Sequence, residues 1–194
     1  MEKELKIGVE NAMNAYKGAD ENGKKMLEAL FGKETFVPKN IMERVKTFED
    51  ACNALGEDPL VLLYDVFQNE IATTESHNGD KDVMAYLKLR IIVAALNEGW
   101  EPKFTEDEYR YYPWYYLYTK EEWAELDDDI KKYGRVLGRS IYSGGAYGGL
   151  AYASAGYASS SSGTGFGSRL AFKTRELAEY CGKQFIDIWI DFLI

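Results

Sequence analysis

The sequence predicts an α+β fold: a helical N-terminal part, a small antiparallel sheet and a C-terminal packing helix. Three observations predict it. Apolar residues recur at helical period through the first half, between recognisable cap residues. An aromatic run with strand alternation follows, and it leads into a stretch built almost wholly from Gly, Ser, Ala and Tyr. A last apolar stripe at helical spacing ends the sequence. The 194 residues suffice for one sizeable domain or a domain with an extension, and the 46% hydrophobic and 28% charged composition fits a soluble globular chain.

In order, Leu5, Val9, Ala12, Met13 and Tyr16 predict a first helix over 2–17, ended by Gly18. Asp20 caps a second helix carrying Met26, Leu27, Leu30 and Phe31, and Gly32 stops it. These form a helical hairpin over 1–40, read as an extension of an α+β domain spanning 41–194. Thr47-Phe-Glu-Asp50 is a capped start. Asp58-Pro59 opens a helix whose buried face is expected to be Leu60, Leu63, Tyr64 and Phe67. Asp80 opens the strongest helix, with Val83, Met84, Leu87, Ile91, Ala94 and Ala95 on the helical period, and this is the expected centre of the core.

The texture then changes. Thr105-Glu-Asp-Glu108 predicts one capped turn. Residues 109–118 predict a strand, and Pro113 makes it an edge strand or one with a bulge. Alternation places Tyr112, Trp114, Tyr116 and Tyr118 on one face, with Tyr111, Tyr115 and Leu117 on the other. Such rings either stack bases or sugars or cover the core and a neighbouring Gly-rich strand. Thr119-Lys-Glu-Glu122 caps a helix expected to run to about 133. Residues 169–173 predict a strand, and 174–194 a helix buried along Leu177, Cys181, Phe185, Ile188 and Phe192.

From Tyr142 to Phe166, every one of 25 residues except Leu150, Thr164 and Phe166 is Gly, Ser, Ala or Tyr. A flexible spacer has no use for four large rings, yet Tyr142, Tyr147, Tyr152 and Tyr157 recur every five residues. Tyr gives broad amphipathic contact at low entropy cost, and Ser and Gly give adaptable hydrogen bonding, which is the chemistry of binding loops. The ligand-binding candidates are therefore Tyr142, Tyr147, Tyr152, Tyr157, Ser159, Ser161, Thr164 and Phe166. A spacing of five puts successive tyrosines on opposite strand faces, so one alternate pair is expected to be exposed and the other packed inward.

A net charge of −9 argues against a nucleic-acid partner. No apolar run reaches membrane-span length, and no signal peptide is visible, which predicts cytoplasmic synthesis. Asp127-Asp128-Asp129 lacks EF-hand spacing and reads as a solvated helix end. Cys52 and Cys181 fall in predicted helices and read as packed thiols, and the one His, His77, sits in a polar stretch. There is no Walker A motif, and Gly163-Thr-Gly165-Phe-Gly167 precedes a predicted strand where a dinucleotide fingerprint would follow one. The sequence therefore predicts a non-catalytic protein with no catalytic residues, no metal site and no cofactor.

Leu89-Arg-Ile-Ile-Val-Ala-Ala-Leu-Asn-Glu-Gly-Trp-Glu-Pro102, Tyr112-Pro-Trp114, Gly167-Ser-Arg-Leu-Ala-Phe172 and Glu179-Tyr-Cys-Gly-Lys-Gln-Phe185 resemble a family of uncharacterised proteins from phages and prophages of gut Bacteroidales. The resemblance covers nearly the whole chain and brings no established activity. The Gly/Ser/Tyr stretch is also similar to variable regions of retroelement-diversified, lectin-like proteins, in which mutagenised Asn codons yield Tyr, Ser, Gly and Ala. It departs from them in retaining no Asn and in preceding a long predicted helix. The resulting expectation is a phage or prophage protein that binds a protein, glycan or small-molecule ligand through a Tyr/Ser/Gly/Ala surface, in the virion or in the host cell. The alternatives are a sponge for a small nucleotide signal and a structural virion component. Oligomeric state is left open.

Overall fold

A computed structural model describes residues 6–73, 81–103, 105, 107–136, 149–158 and 168–194. It is α+β, mostly helical with a three-stranded antiparallel sheet, and the chain divides into two compact units, Met1–Arg44 and Val45–Ile194.

The first unit holds α1 (Val9–Gly18), α2 (Glu21–Phe31) and the short α3 (Ile41–Arg44). Extended backbone at Gly8 starts α1 at Val9, later than the predicted residue 2. Asp20 caps α2 as expected, accepting from the Gly23 N–H at 2.8 Å. The packed side is part of the predicted stripe: Ala12 is buried and Tyr16 and Phe31 pack, whereas Val9, Met26 and Leu30 are exposed. Tyr16 stacks on Phe36 at 4.3 Å, Phe31 meets Phe36 edge-on, and the Tyr16 hydroxyl donates to Glu28 at 2.5 Å.

In the second unit, α4 (Phe48–Leu55) opens with a complete capping box between Thr47 and Asp50. Helix α5 (Pro59–Thr73) begins where Asp58 accepts from the Leu60 N–H. Of its predicted buried face only Tyr64 is buried, edge-on to Phe48 at 4.8 Å, whereas Leu63 and Phe67 are exposed. One ring fills that contact line, and Leu63 and Phe67 fall outside it. Helix α6 (Lys81–Asn97) is buried almost all round and forms the centre of the core, although Val83 at its start is exposed. Its last residue, Asn97, donates to the Ala171 carbonyl at 2.8 Å and accepts from the Lys173 N–H at 3.0 Å, so a buried amide ties down the segment before the final helices.

The sheet has the order β1 (Arg110–Tyr118), β3 (Gly149–Ala158), β2 (Gly134–Val136), all antiparallel. Strand β1 is an edge strand, as Pro113 predicts, and the register slips by one between Trp114 and Tyr115. The capped turn expected over 105–108 lies partly outside the described residues; Asp107 is in a turn, and the Glu108 carboxylate accepts from the Lys103 N–H. After β1 the predicted single helix is two, α7 (Lys120–Glu125) and α8 (Asp128–Lys131). Leu126 and Asp127 are extended between them, because an Asp run favours a helix start over a helix interior.

The predicted strand over 169–173 is a 3-10 turn, Ser168–Leu170, followed by a single bridge between Phe172 and Tyr111. Leu170, Ala171 and Phe172 are all buried, and three consecutive buried residues do not alternate as a one-sided strand requires. The C-terminal helix is likewise two pieces, α9 (Arg175–Gln184) and α10 (Ile186–Leu193), broken at Phe185 (φ −110°, ψ 30°). Leu177, Cys181 and Phe185 are buried as predicted. The break then turns the face, so Ile186 and Trp189 are buried most deeply, and Ile188 and Phe192 only partly.

Helix α9 seats on the sheet at Gly182. A Cβ there would meet Pro113 Cβ and the Tyr152 ring at 2.8 Å, and the Tyr115 hydroxyl donates to the Gly182 carbonyl at 2.9 Å. Ala is worth about 1 kcal/mol over Gly in a helix interior, but overpacking a rigid contact costs about 1–3 kcal/mol. Gly182→Ala is therefore expected to lower the denaturation midpoint, and a raised midpoint would show that the sheet can move away.

Burial pushes the Cys181 thiol and the Tyr152 phenol up to about 12 each, from 9.0 and 10.0. Both groups favour the fold while protonated. Their contribution is complete below their unfolded values and is lost as pH rises through the folded ones. Thermal stability should therefore decline from about pH 9 to pH 12, and a melting temperature that stays level across that window would contradict it.

Candidate functional site

Of the eight residues picked out as ligand-binding, Tyr142, Tyr147, Ser159, Ser161, Thr164 and Phe166 lie outside the described residues. Tyr152 and Tyr157 lie in β3, the central strand. The middle of the Gly/Ser/Tyr stretch is therefore scaffold. Leu150, Ala151 and Ala155 are buried, and Ser154 is exposed. Tyr152 packs inward, edge-on to Tyr115 at 6.1 Å and against Gly182, with the Lys183 ammonium 5.0 Å from its ring and 5.1 Å from that of Tyr133. Its hydroxyl is buried without a hydrogen-bond partner among the described residues. Burial raises its pKa, Glu179 adds to the shift and Arg175 opposes it. Tyr157 falls opposite Tyr111, and Tyr152 opposite Tyr115. Ala153 is the extra residue of the slip between them, so a spacing of five does not imply opposite faces across this bulge.

What the described residues do present is an aromatic ridge on β1. Trp114 and Tyr116 are 52% and 63% exposed. The Trp114 indole lies over Gly156, where a Cβ would come within 3.0 Å of three of its ring atoms. A ring across a sheet glycine fills the space that the missing side chain leaves. Tyr116 meets Tyr118 edge-on at 6.3 Å, and Tyr118 leans on Trp123 at 6.2 Å. Trp123 in turn sits on Gly134 beside Ala151. Glycines on β3 and β2 thus let two large rings, Trp114 and Trp123, lie close to the sheet.

The Thr119 capping box turns the chain directly after β1 and sets α7 beside the ridge, with Thr119 accepting from the Glu122 N–H and Glu122 accepting from the Thr119 N–H. Glu122 and Glu125 are three apart on that helix and so share a face. Between strand and helix lies a groove of about 530 Å³ lined by Tyr116, Leu117, Tyr118, Glu122, Glu125 and Leu126. Burial raises the pKa of the Tyr118 phenol, with Tyr116 and Glu122 adding to the effect. A second cavity of about 230 Å³ is lined by Pro113, Trp114, Tyr115, Leu117, Leu150, Leu193 and Ile194.

Rings and carboxylates without an activated nucleophile suit the binding of a cationic or amphipathic group. Among the described residues, no three His, Cys, Asp or Glu side chains are grouped to hold a metal ion, and no helix is long and apolar enough to cross a membrane. These aromatics are evident in the sequence beside the Tyr/Ser/Gly stretch, while the groove is not. The available signals were the Thr119 capping box directly after the strand and the glycines opposite its rings. Compared with family models, curated proteins and solved structures, the chain gives no match.

Proposed function

We propose that this chain is a non-catalytic binding protein of phage or prophage origin. Its recognition surface is the aromatic ridge of β1 together with the Tyr/Ser/Gly/Ala stretch 142–166. The observation that carries the reading is the exposure of Trp114 and Tyr116 on a strand whose neighbours hold the rings in place. Aromatic anchors on a rigid support are where binding energy concentrates. The buried positions of β3 belong to the support, and any retroelement-driven diversity falls at exposed positions such as Ser154. On the resemblance to Bacteroidales phage proteins, the partner is proposed to lie at the surface of those cells or inside them. The test is saturable retention of the purified chain on intact Bacteroidales cells or on their extracted surface components, compared with a Trp114→Ala, Tyr116→Ala variant. Equal retention of the two proteins, or none for either, overturns the proposal.

A further inference from the structure

We infer that the outer edge of β1 docks an extended segment of another polypeptide as a fourth strand, one in which aliphatic residues alternate with Lys or Arg. This names a partner class for the ridge just described and rests on that reading.

The argument begins with the backbone. Tyr111 exchanges both of its main-chain hydrogen bonds with Phe172, on the side of β1 away from β3. Antiparallel pairing alternates, so the N–H and C=O of Tyr115 and Leu117 point to that same outer side, with the Pro113 carbonyl. Among the described residues nothing pairs with them. From Tyr111 to Tyr118 the edge carries no charged side chain, and charged side chains are a usual means by which edge strands repel another strand. Pro113 and the Phe172 bridge limit pairing to the Tyr115–Leu117 end.

The side chains then specify the guest. The two cavities share Leu117 of β1; one adds Tyr116, Tyr118 and the carboxylates of α7, and the other adds Trp114, Tyr115, Leu150, Leu193 and Ile194. An added strand sends successive side chains to opposite faces, so it delivers one residue to each cavity in turn. Guest residues opposite Tyr115 and Leu117 would point towards the apolar cavity with Leu150, Leu193 and Ile194, which takes an aliphatic side chain. The guest residue between them, opposite Tyr116, would point towards the groove with Tyr118, Glu122 and Glu125. A Lys or Arg fits there, its stem on the rings and its charge on the carboxylates. A chain of net charge −9 attracts such a segment, whereas a second copy of the chain brings its own acidic groove.

The test uses the full chain, isotope-labelled, and the capped peptide Thr-Val-Lys-Val-Lys-Val-Thr, followed through the backbone amide signals of Tyr115 and Leu117. Saturable shifts at these two amides are expected. Replacing both Lys of the peptide by Glu, or N-methylating its Val residues, should weaken binding at least tenfold. In the protein, Glu122→Gln with Glu125→Gln should do the same, and Gln at 122 preserves the capping box. Equal binding of the Lys and Glu peptides, shifts confined to other regions, or no saturation overturns the inference. So do shifts of these amides with protein concentration alone, which would put a second copy on the edge. If the peptide fails while the unmodified chain is still retained on cells, only this inference falls. If retention fails as well, the recognition reading falls with it.

Discussion

Trp189→Ala is expected to remove a large part of the stability of the Val45–Ile194 unit. Trp189 is fully buried, 6.0 Å from the Tyr115 ring and 6.1 Å from that of Phe192, and so joins α10 to the sheet. Truncating a buried large aromatic costs about 3–5 kcal/mol in lost transfer energy and residual cavity. For a chain of this size that is roughly 6–20 °C in melting temperature, and a sizeable part of a total of about 5–15 kcal/mol. Tyr115 amplifies the effect, since it rests on Trp189 and also donates to Gly182. Leu62→Ala is the control, because Leu62 is 55% exposed on α5 and its loss should stay within about 0.5 kcal/mol. Denaturant midpoints for the two variants decide the matter. A Trp189→Ala midpoint close to that of Leu62→Ala would mean that α10 is an appendage.

The same residue shows what the sequence makes legible. Helices α2, α4, α5 and α7 start at Asp20, Thr47, Asp58 and Thr119 because a side-chain cap is a local interaction over two or three residues. Pro113 narrows β1 to an edge strand or one with a bulge, and the structure puts it at the edge. The buried face of α10 does not follow from its own pattern. A straight helix from 174 buries Ile188 and Phe192, but the break at Phe185 turns Ile186 and Trp189 inward instead. Likewise, Leu63 and Phe67 have the right period and still face outward, because period says which residues share a face and not whether anything covers it. At the candidate site the rings are evident in the sequence, while the groove depends on how α7 turns back along β1. The one-residue slip opposite Trp114 and Tyr115 undoes an alternation argument that is otherwise sound.

Trp114→Ala combined with Tyr116→Ala is expected to abolish partner binding while leaving the fold nearly unchanged. Anchors of this kind each carry about 2 kcal/mol or more of binding energy, a loss of roughly 30-fold apiece. Their contribution to folding is smaller. Both rings are more than half exposed, and a cross-strand aromatic contact such as that of Trp114 with Gly156 is worth about 0.2–1 kcal/mol. Tyr152→Ala should show the opposite pattern. Its ring packs against Gly182 and Tyr115 on the helix side of the sheet, so removing it should lower the melting temperature and leave the partner-facing ridge in place. Melting temperature and retention on Bacteroidales cells, measured on the same preparations, separate the two effects. Full retention by the double variant would clear Trp114 and Tyr116 of any part in recognition. A melting temperature for the double variant as low as that of Trp189→Ala would instead make the ridge part of the core, with its exposure incidental to function.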